Sequence, residues 1–376
     1  MSENGSLSPA DVQRLLSDRS AEARAKTVEK IAGNLVEHQF SDTERAEAEA
    51  IFRALAGDAE ILVRQTLADT LKNLPDLPHD IALTLASDIA DVATPMLTFS
   101  EALSDEDLFE IINSQPDSHQ EAIAARKVVS EAVSDKLADT GNVNVVAKLM
   151  ENDGAQISEK TFEKVLDKYG DNEKVNAPMA QRAELPLTVT ERLVTLVSDK
   201  LREHLVSHHE MSPGVATDLI LASREKTMIG LLKGGTSSED LKGLIDQLHE
   251  NGRLTPTIIL RALCVGDIDF FETALSKGSG ISVSNVHLLV NDAGGEGLKQ
   301  LCKKCDIPAG LVEMMRVAVE VVNELEYDGT PGDRERFRNH VIQRVLTHFE
   351  DRFDVENVDY LISKIGEGST GTTEAA

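Results

Sequence analysis

Aromatic residues are scarce in this 376-residue chain, which has no Trp, three Tyr and ten Phe. Base and sugar recognition relies on stacking against aromatic faces, and Trp and Tyr anchor many protein interfaces. The scarcity therefore disfavours recognition by stacking. Hydrophobic residues still make up 41% of the chain, so we expect a packed globular core.

Positive charge is also scarce. The chain carries 38 Lys and Arg against 65 Asp and Glu, a formal net charge of -27. Such a surface repels phosphate groups, so we expect no nucleic-acid partner and no anionic membrane partner. A protein partner with a basic surface is compatible with this charge, although solubility alone is the favoured explanation.

Cysteines and long apolar runs are few. The three cysteines, Cys264, Cys302 and Cys305, are odd in number and late in the chain, unlike a disulfide framework. No apolar run approaches the roughly 20 residues of a membrane span. The polar start, residues 1–6, lacks the order of a secretory signal. These features predict a cytoplasmic protein that does not insert into a membrane.

Helix signals are frequent. Ser8-Pro9 reads as a capped helix start, and Ser41, Ser104 and Ser118 are each followed three residues later by an acid, as in a capping box. Apolar residues then recur at spacings of three and four. The pattern predicts an all-α protein with short connections.

A self-similarity of about 40 residues links the first units. Asp18 and Arg24 fall on Asp58 and Arg64 when the chain is shifted by 40 positions, the spacing of two-helix HEAT repeats. We therefore predict an α-solenoid of HEAT-like helix pairs. The Asp should reach helix-end amides or the Arg of a neighbouring unit. The next unit has Thr94-Pro95 in place of Arg, which predicts an irregular helix.

The predicted domain organisation has four parts. Residues 8–170 form the N-terminal repeat array, and the polar segment 171–186, with two prolines, is a central linker. A second all-helical region covers residues 187–365. Residues 366–376 are expected to be a disordered tail.

Four segments together resemble a known family: 18–24, 58–74, 103–112 and 263–275. They are similar to a family of alphaproteobacterial proteins described only as a conserved domain of unknown function with HEAT-like helical repeats. The resemblance covers most of residues 8–320. It implies the helical-repeat fold and a cytoplasmic setting, and it carries no catalytic or ligand-binding residue.

Two sequence patterns resemble cysteine or phosphate chemistry. Cys302-Lys-Lys-Cys305 is a CxxC without the preceding strand of a redox motif or the further ligands of a zinc site, so two buried thiols on a helix are favoured. The glycine-rich segment 292–297 follows a helical pattern and lacks GK[ST]. It predicts a helix–helix turn with a positive φ angle.

Two patterns concern the start of the second helical region. His204, His208, His209 and Glu210 place imidazoles at i and i+4, where they could share a metal or simply end an amphipathic helix. A stripe of aliphatic residues precedes them and could be a dimer seam, although core packing is favoured. The stripe comprises Leu193, Leu196, Val197, Leu201 and Leu205.

Three functions remain open. The preferred one is a non-catalytic interaction or regulatory scaffold that binds a protein partner through stacked helices, with a homo-oligomer possible. The alternative is a regulator that binds a small molecule or nucleotide between the two regions, in a pocket where Arg253, Arg261 or Lys277 converge. A metal-dependent hydrolase using the histidine cluster is the third. We expect no catalytic, cofactor or metal residues.

Overall fold

The structure is a computed structural model that describes residues 20–37, 41–208, 211–232, 236–292 and 294–324, with 339–341, 343, 344 and 347 beyond them. Within these residues it contains 19 α-helices and no β-strand, which confirms the all-α prediction. Contacts divide the chain into two units, residues 1–184 and 185–376. The predicted helix start at Ser8 and the predicted tail 366–376 lie outside the described residues.

Unit 1 contains eleven described helices, most of them two to four turns long. They are α1 (Ala21–Glu37), α2 (Asp42–Ala56), α3 (Ile61–Leu71), α4 (His79–Ala86), α5 (Ala90–Phe99), α6 (Asp105–Ser114), α7 (Asp117–Ala124), α8 (Glu131–Asp139), α9 (Val143–Glu151), α10 (Glu159–Tyr169) and α11 (Glu173–Gln181).

The helices of unit 1 form two layers. The odd-numbered helices pack on one another in succession from α1 to α11. Among the even-numbered helices, α2 packs on α4, and α6, α8 and α10 pack in succession. Each helix pair therefore buries its apolar face against its neighbours in the stack, as in a helical-repeat protein.

The repeat length is shorter than predicted beyond the first step. The odd-numbered helices begin at Ala21, Ile61, Ala90, Asp117, Val143 and Glu173, so the first interval is 40 residues and the later ones are 26 to 30. The later helices of this layer have only 8 to 10 residues. The 40-residue period thus describes the first step and not the rest of the array.

Capping residues set several helix boundaries of unit 1. Ser41 with Glu44 and Ser104 with Asp107 form the predicted capping boxes at α2 and α6. The capping box predicted at Ser118 is wrong, because Pro116 is the N-cap and α7 begins at Asp117, two residues earlier than predicted. Proline fixes φ near -65° and starts the helix without a side-chain cap.

The structure differs from the sequence-based expectations at Pro95 and in the polar segment 171–186. α5 continues through Pro95 as one helix. The predicted linker 171–186 contains α11, which Asn172 caps, which packs on α9 and which buries Val175 and Met179. Two buried residues suffice to anchor a helix of nine residues, although its sequence has little apolar periodicity.

Unit 2 contains eight described helices around one core. They are α12 (Leu187–His208), α13 (Pro213–Leu231), α14 (Ser238–Glu250), α15 (Pro256–Cys264), α16 (Ile268–Ser279), α17 (Val283–Val290), α18 (Glu296–Lys304) and α19 (Ala309–Glu324). Residues 258–264 of α15 are all buried, including Arg261. The predicted helix–helix turn is present, with φ of 67° at Gly295.

Candidate interaction surface

Polar side chains form a ladder along one end of the odd-numbered helices. Arg24 Nη2 donates to Asp58 Oδ1 at 2.9 Å, and Arg64 Nη2 donates to Asp88 Oδ1 at 2.9 Å. Arg64 also donates to the carbonyl oxygen of Asp58 at 2.7 Å. His119 Nε2 lies 2.7 Å from the carbonyl oxygen of Asp88. The predicted contact between the Asp of one unit and the Arg of the preceding one is therefore confirmed.

The same aspartates accept backbone hydrogen bonds at the helix starts, from the amides of Glu60 and Ile89. Partial burial by itself raises the pKa of Asp58 and Asp88. The hydrogen bonds from Arg24 and Arg64, with those backbone amides, outweigh it and hold both pKa values below their usual range. Both carboxylates are thus ionised at neutral pH and fully engaged within unit 1.

A second ladder lies at the C-terminal ends of the odd-numbered helices from α5 to α11. Arg126 Nη2 donates to the carbonyl oxygen of Ser100 at 2.7 Å, and Asn152 Nδ2 to that of Ala124 at 2.8 Å. Arg182 Nη1 donates to the carbonyl oxygen of Asn152 at 2.7 Å. Each side chain follows one odd-numbered helix and satisfies carbonyl groups at the end of the preceding one.

One stretch of unit 1 lacks Lys and Arg altogether. Residues 73–125, which span α4 to α7, contain eleven Asp and Glu, two His and no Lys or Arg. Counting charged residues in windows along the sequence reveals this stretch, whereas the net charge of the whole chain does not. We call residues 73–125 the acidic segment.

Internal contacts use four of these acids. Asp76, Asp80 and Asp88 form ion pairs with Arg45, Arg53 and Arg64, and Asp107 is hydrogen-bonded to His79. Other acids of the segment are exposed: Asp91, Glu101, Glu106, Glu110 and Asp117. No ion pair among the described residues uses the last three.

Exposed apolar side chains interrupt the acidic segment. Ile89, before α5, is 46% exposed, and Phe99, at the end of that helix, is 51% exposed. The Lys72 ammonium lies 5.1 Å from the centre of the Phe99 ring, within the range of a cation–π contact. The segment therefore offers apolar contact area beside its negative charge.

The three cations predicted to line a ligand pocket each form an ion pair with an acidic residue of unit 2. Arg253 Nη1 lies 2.7 Å from Glu191 Oε1, and Lys277 Nζ lies 2.6 Å from Asp246 Oδ1. Arg261 pairs with the buried Glu225. The three cations belong to three separate pairs and do not converge on one cavity.

A surface groove of about 440 Å³ lies between α17 and α18 of unit 2. Its lining is mainly apolar, with two exposed lysines and one glutamine at the rim. The lining residues are Ile281, Leu289, Gln300, Leu301, Lys303 and Lys304. The groove is open to solvent, and none of the cations predicted for ligand binding lines it.

Cys302 and Cys305 lie at the end of α18. Cys302 is fully buried, and its Sγ contacts Met315 Sδ at 3.8 Å. Burial raises the pKa of Cys302 to about 12 and also raises the pKa of Cys305. A redox or metal-binding CxxC requires thiolates with a lowered pKa, so both thiols behave as small apolar side chains.

The histidine cluster is only partly within the described residues. His204 is exposed on α12, whereas the side chain of His208 and all of His209 and Glu210 lie outside them. No group of three or more His, Cys, Asp or Glu in the described part of the chain could hold a metal ion. Across the same residues, no helix is both long and apolar enough to cross a membrane.

The aliphatic stripe of α12 divides into two parts. Leu193 is buried, and Leu196 and Leu205 are partly buried. Val197 and Leu201 are 66% and 46% exposed. Core packing therefore explains the first part of the stripe and leaves Val197 and Leu201 available for contact.

Comparison with known proteins gives a family and no function. No curated protein and no solved structure matches the chain. One family model matches residues 92–353, which include the second half of unit 1 and most of unit 2. The chain thus belongs to the family described as "Uncharacterised protein conserved in bacteria (DUF2336)".

Proposed function

We propose that the protein is a non-catalytic interaction scaffold that binds a basic surface of a partner protein through the acidic segment of unit 1. The observation that carries this proposal is the run of 53 residues, 73–125, with eleven acids and no Lys or Arg. A cytoplasmic setting is part of the same proposal.

The exposed acids supply the electrostatic part of recognition. Glu106 and Glu110 lie one turn apart on α6, and Asp117 lies in the first turn of α7. No ion pair among the described residues contains these three carboxylates, so their negative electrostatic field extends into solvent. Such a field raises the association rate of a basic partner and weakens with added salt.

The stacked helices supply a rigid framework for the binding surface. The ladders join successive odd-numbered helices from α1 to α11, and α6 packs on α7 and α8, so the acids on α6 and α7 are held at constant spacing. Ile89 and Phe99 add apolar area that a partner could cover. A preorganised surface loses little side-chain and loop entropy when it binds.

The two other functions have less support. The regulator would need free cations in a shared pocket, and Arg253, Arg261 and Lys277 are each paired with an acid. The hydrolase would need a third ligand near His204, and no described group of residues supplies a metal site.

The test is affinity capture with the full-length chain from a lysate of its source, followed by binding measurements with the purified partner. The variant Glu106→Gln/Glu110→Gln/Asp117→Asn removes three unused acids of the segment. The matched control, Glu239→Gln/Glu250→Gln/Asp269→Asn, removes three exposed acids of unit 2.

We expect one basic protein to be recovered near stoichiometrically, with affinity that falls steeply as salt rises. The unit 1 variant should weaken binding at least about tenfold, and the control variant should bind like the wild type. An acidic partner, or equal loss in both variants, would overturn the proposal. So would recovery of a bound small molecule or metal in place of a protein.

A further inference from the structure

We infer that the hairpin of α12 and α13 is a self-association surface, on which a second copy of the chain packs to form a four-helix bundle. This inference goes beyond the proposed function and concerns the other unit. It rests on an apolar face, its place on two antiparallel helices, and the local charge.

The apolar face consists of four residues at helical spacing. Val197 and Leu201 are one turn apart on α12 and are 66% and 46% exposed. Val215 and Leu219 are one turn apart on α13 and are 57% and 53% exposed. Large apolar side chains exposed in pairs on adjoining helices mark an interaction site more strongly than scattered ones.

The two pairs lie on the same side of the hairpin. Only residues 209–212 separate α12 from α13, and the two helices pack on each other, so they are antiparallel neighbours. On α13 the buried Ala216 and Ile220 follow Val215 and Leu219 by one position.

On α12 the partly buried Ser198 follows Val197 by one position, and the partly buried Leu205 follows Leu201 by four. On both helices the more buried row therefore lies in the same rotational sense from the exposed row, and in an antiparallel pair this brings both exposed rows to one face. Val197, Leu201, Val215 and Leu219 therefore form one continuous patch.

The charge of the hairpin permits approach by a second copy. Residues 187–232 carry six Asp and Glu and five Lys and Arg, so their formal charge is -1 in a chain with a net charge of -27. The rest of the chain is strongly acidic, so like-charge repulsion opposes most contacts between copies. The nearly neutral hairpin lacks this barrier.

A second copy also provides the missing layer of packing. Two helices cannot enclose an apolar face, whereas two hairpins related by a twofold axis enclose it in a four-helix bundle. Four residues alone give less than the roughly 800 Å² per partner of a standard interface. The dimer should therefore be reversible, with a dissociation constant on the order of micromolar.

The experiment measures the mass of the full-length protein by light scattering after size exclusion, from about 2 to 200 µM, a range set by the expected affinity. The monomer mass is 40.9 kDa. The test variant is Leu201→Glu/Leu219→Glu. Its control is Val283→Glu/Leu288→Glu, which changes two exposed aliphatic residues on α17 that are 43% and 69% exposed.

We expect the wild type and the control to approach twice the monomer mass as concentration rises. The test variant should stay monomeric, with a dissociation constant at least about 100-fold higher, because its charges would be buried unpaired. Circular dichroism should show equal helix content in all three. A wild type that stays monomeric to 200 µM, or a test variant that still dimerises, would overturn the inference.

A mixing experiment guards against a variant that misfolds. Leu201→Lys/Leu219→Lys should also be monomeric alone, and an equal mixture with the Glu variant should form a heterodimer, because opposite charges then face each other. If neither variant dimerises alone and the mixture stays monomeric with native helix content, the patch is not the contact surface. None of these results depends on the partner of the acidic segment.

Discussion

Arg261 Nε lies 3.0 Å from Glu225 Oε2 inside unit 2, and only 9% and 4% of the two side chains are exposed. The hydroxyl of Thr257 donates to the other carboxylate oxygen of Glu225 at 2.6 Å, and the hydroxyl of Thr255 also donates to it. The pair joins α13 to the centre of α15. Charges are tolerated at such depth only when they are paired and hydrogen-bonded.

We predict that Glu225→Gln lowers the free energy of unfolding by about 3–5 kcal/mol, because it leaves the Arg261 guanidinium buried without its carboxylate. Glu225→Met/Arg261→Leu should cost much less, because both charges are removed together. Urea unfolding followed by circular dichroism measures both variants. If the single variant were no less stable than the double variant, the pair would not hold α13 against α15.

The Arg–Asp ladder of unit 1 gives a prediction about pH. Burial opposes ionisation of Asp58 and Asp88, but the hydrogen bonds from Arg24 and Arg64 keep their folded-state pKa values lowered. Unfolding therefore takes up protons at low pH. The stability that these two carboxylates supply is complete above the unfolded pKa of about 3.9 and is lost as the pH falls through the lower folded values.

Asp88→Asn should accordingly destabilise unit 1 by about 1–2 kcal/mol at pH 7 and by less near pH 3. The control is Asp91→Asn, an exposed acid in the first turn of α5, which should change stability by less than about 0.5 kcal/mol. Hydrogen exchange of the amides of α3 and α5 provides the local measurement. Equal destabilisation by Asp88→Asn at both pH values would contradict the prediction.

The local parts of the fold follow from the sequence. Ser41 and Ser104 cap their helices as predicted, because a capping box acts within four residues. The contact of Arg24 with Asp58 was also predictable, because the 40-residue period relates the first two units.

Contacts that depend on tertiary packing were not predictable. Arg126, Asn152 and Arg182 each donate to carbonyl oxygens at the end of the preceding odd-numbered helix. They differ in residue type and in spacing, so no sequence repeat reveals this shared role. Glu225 and Arg261 are 36 positions apart, and only the packing of α13 on α15 brings them together. The sequence showed the aliphatic stripe of α12 but not that Val197 and Leu201 are its exposed part, because the exposure depends on how α12 packs.

The CxxC of α18 gives a prediction about reactivity. With a pKa of about 12, on the order of one Cys302 thiol in 10,000 is ionised at pH 8, and the side chain is fully buried. Native protein treated with iodoacetamide should therefore carry no label on Cys302 by peptide mass spectrometry, whereas protein in denaturant should be labelled completely. Rapid labelling of native Cys302, or recovery of a Cys302–Cys305 disulfide, would restore the redox interpretation.

The close approach of α17 and α18 gives a prediction about glycine. A Cβ atom placed on Gly297 would lie 2.4 Å from the carbonyl oxygen of Leu289, far inside van der Waals contact, and backbone atoms can move away only if the helices separate. Gly297→Ala should lower the free energy of unfolding by about 1–3 kcal/mol and widen the groove between the two helices.

The matched control is Gly230→Ala, within α13, where a Cβ meets nothing within 4 Å. Alanine there should raise stability by about 0.5–1 kcal/mol, because glycine is the poorer helix former. Thermal unfolding of both variants gives opposite signs if the Leu289 carbonyl fixes the spacing of α17 and α18. A stabilising Gly297→Ala would show that the spacing adjusts freely, and the groove beside Lys303 would then not have a fixed shape.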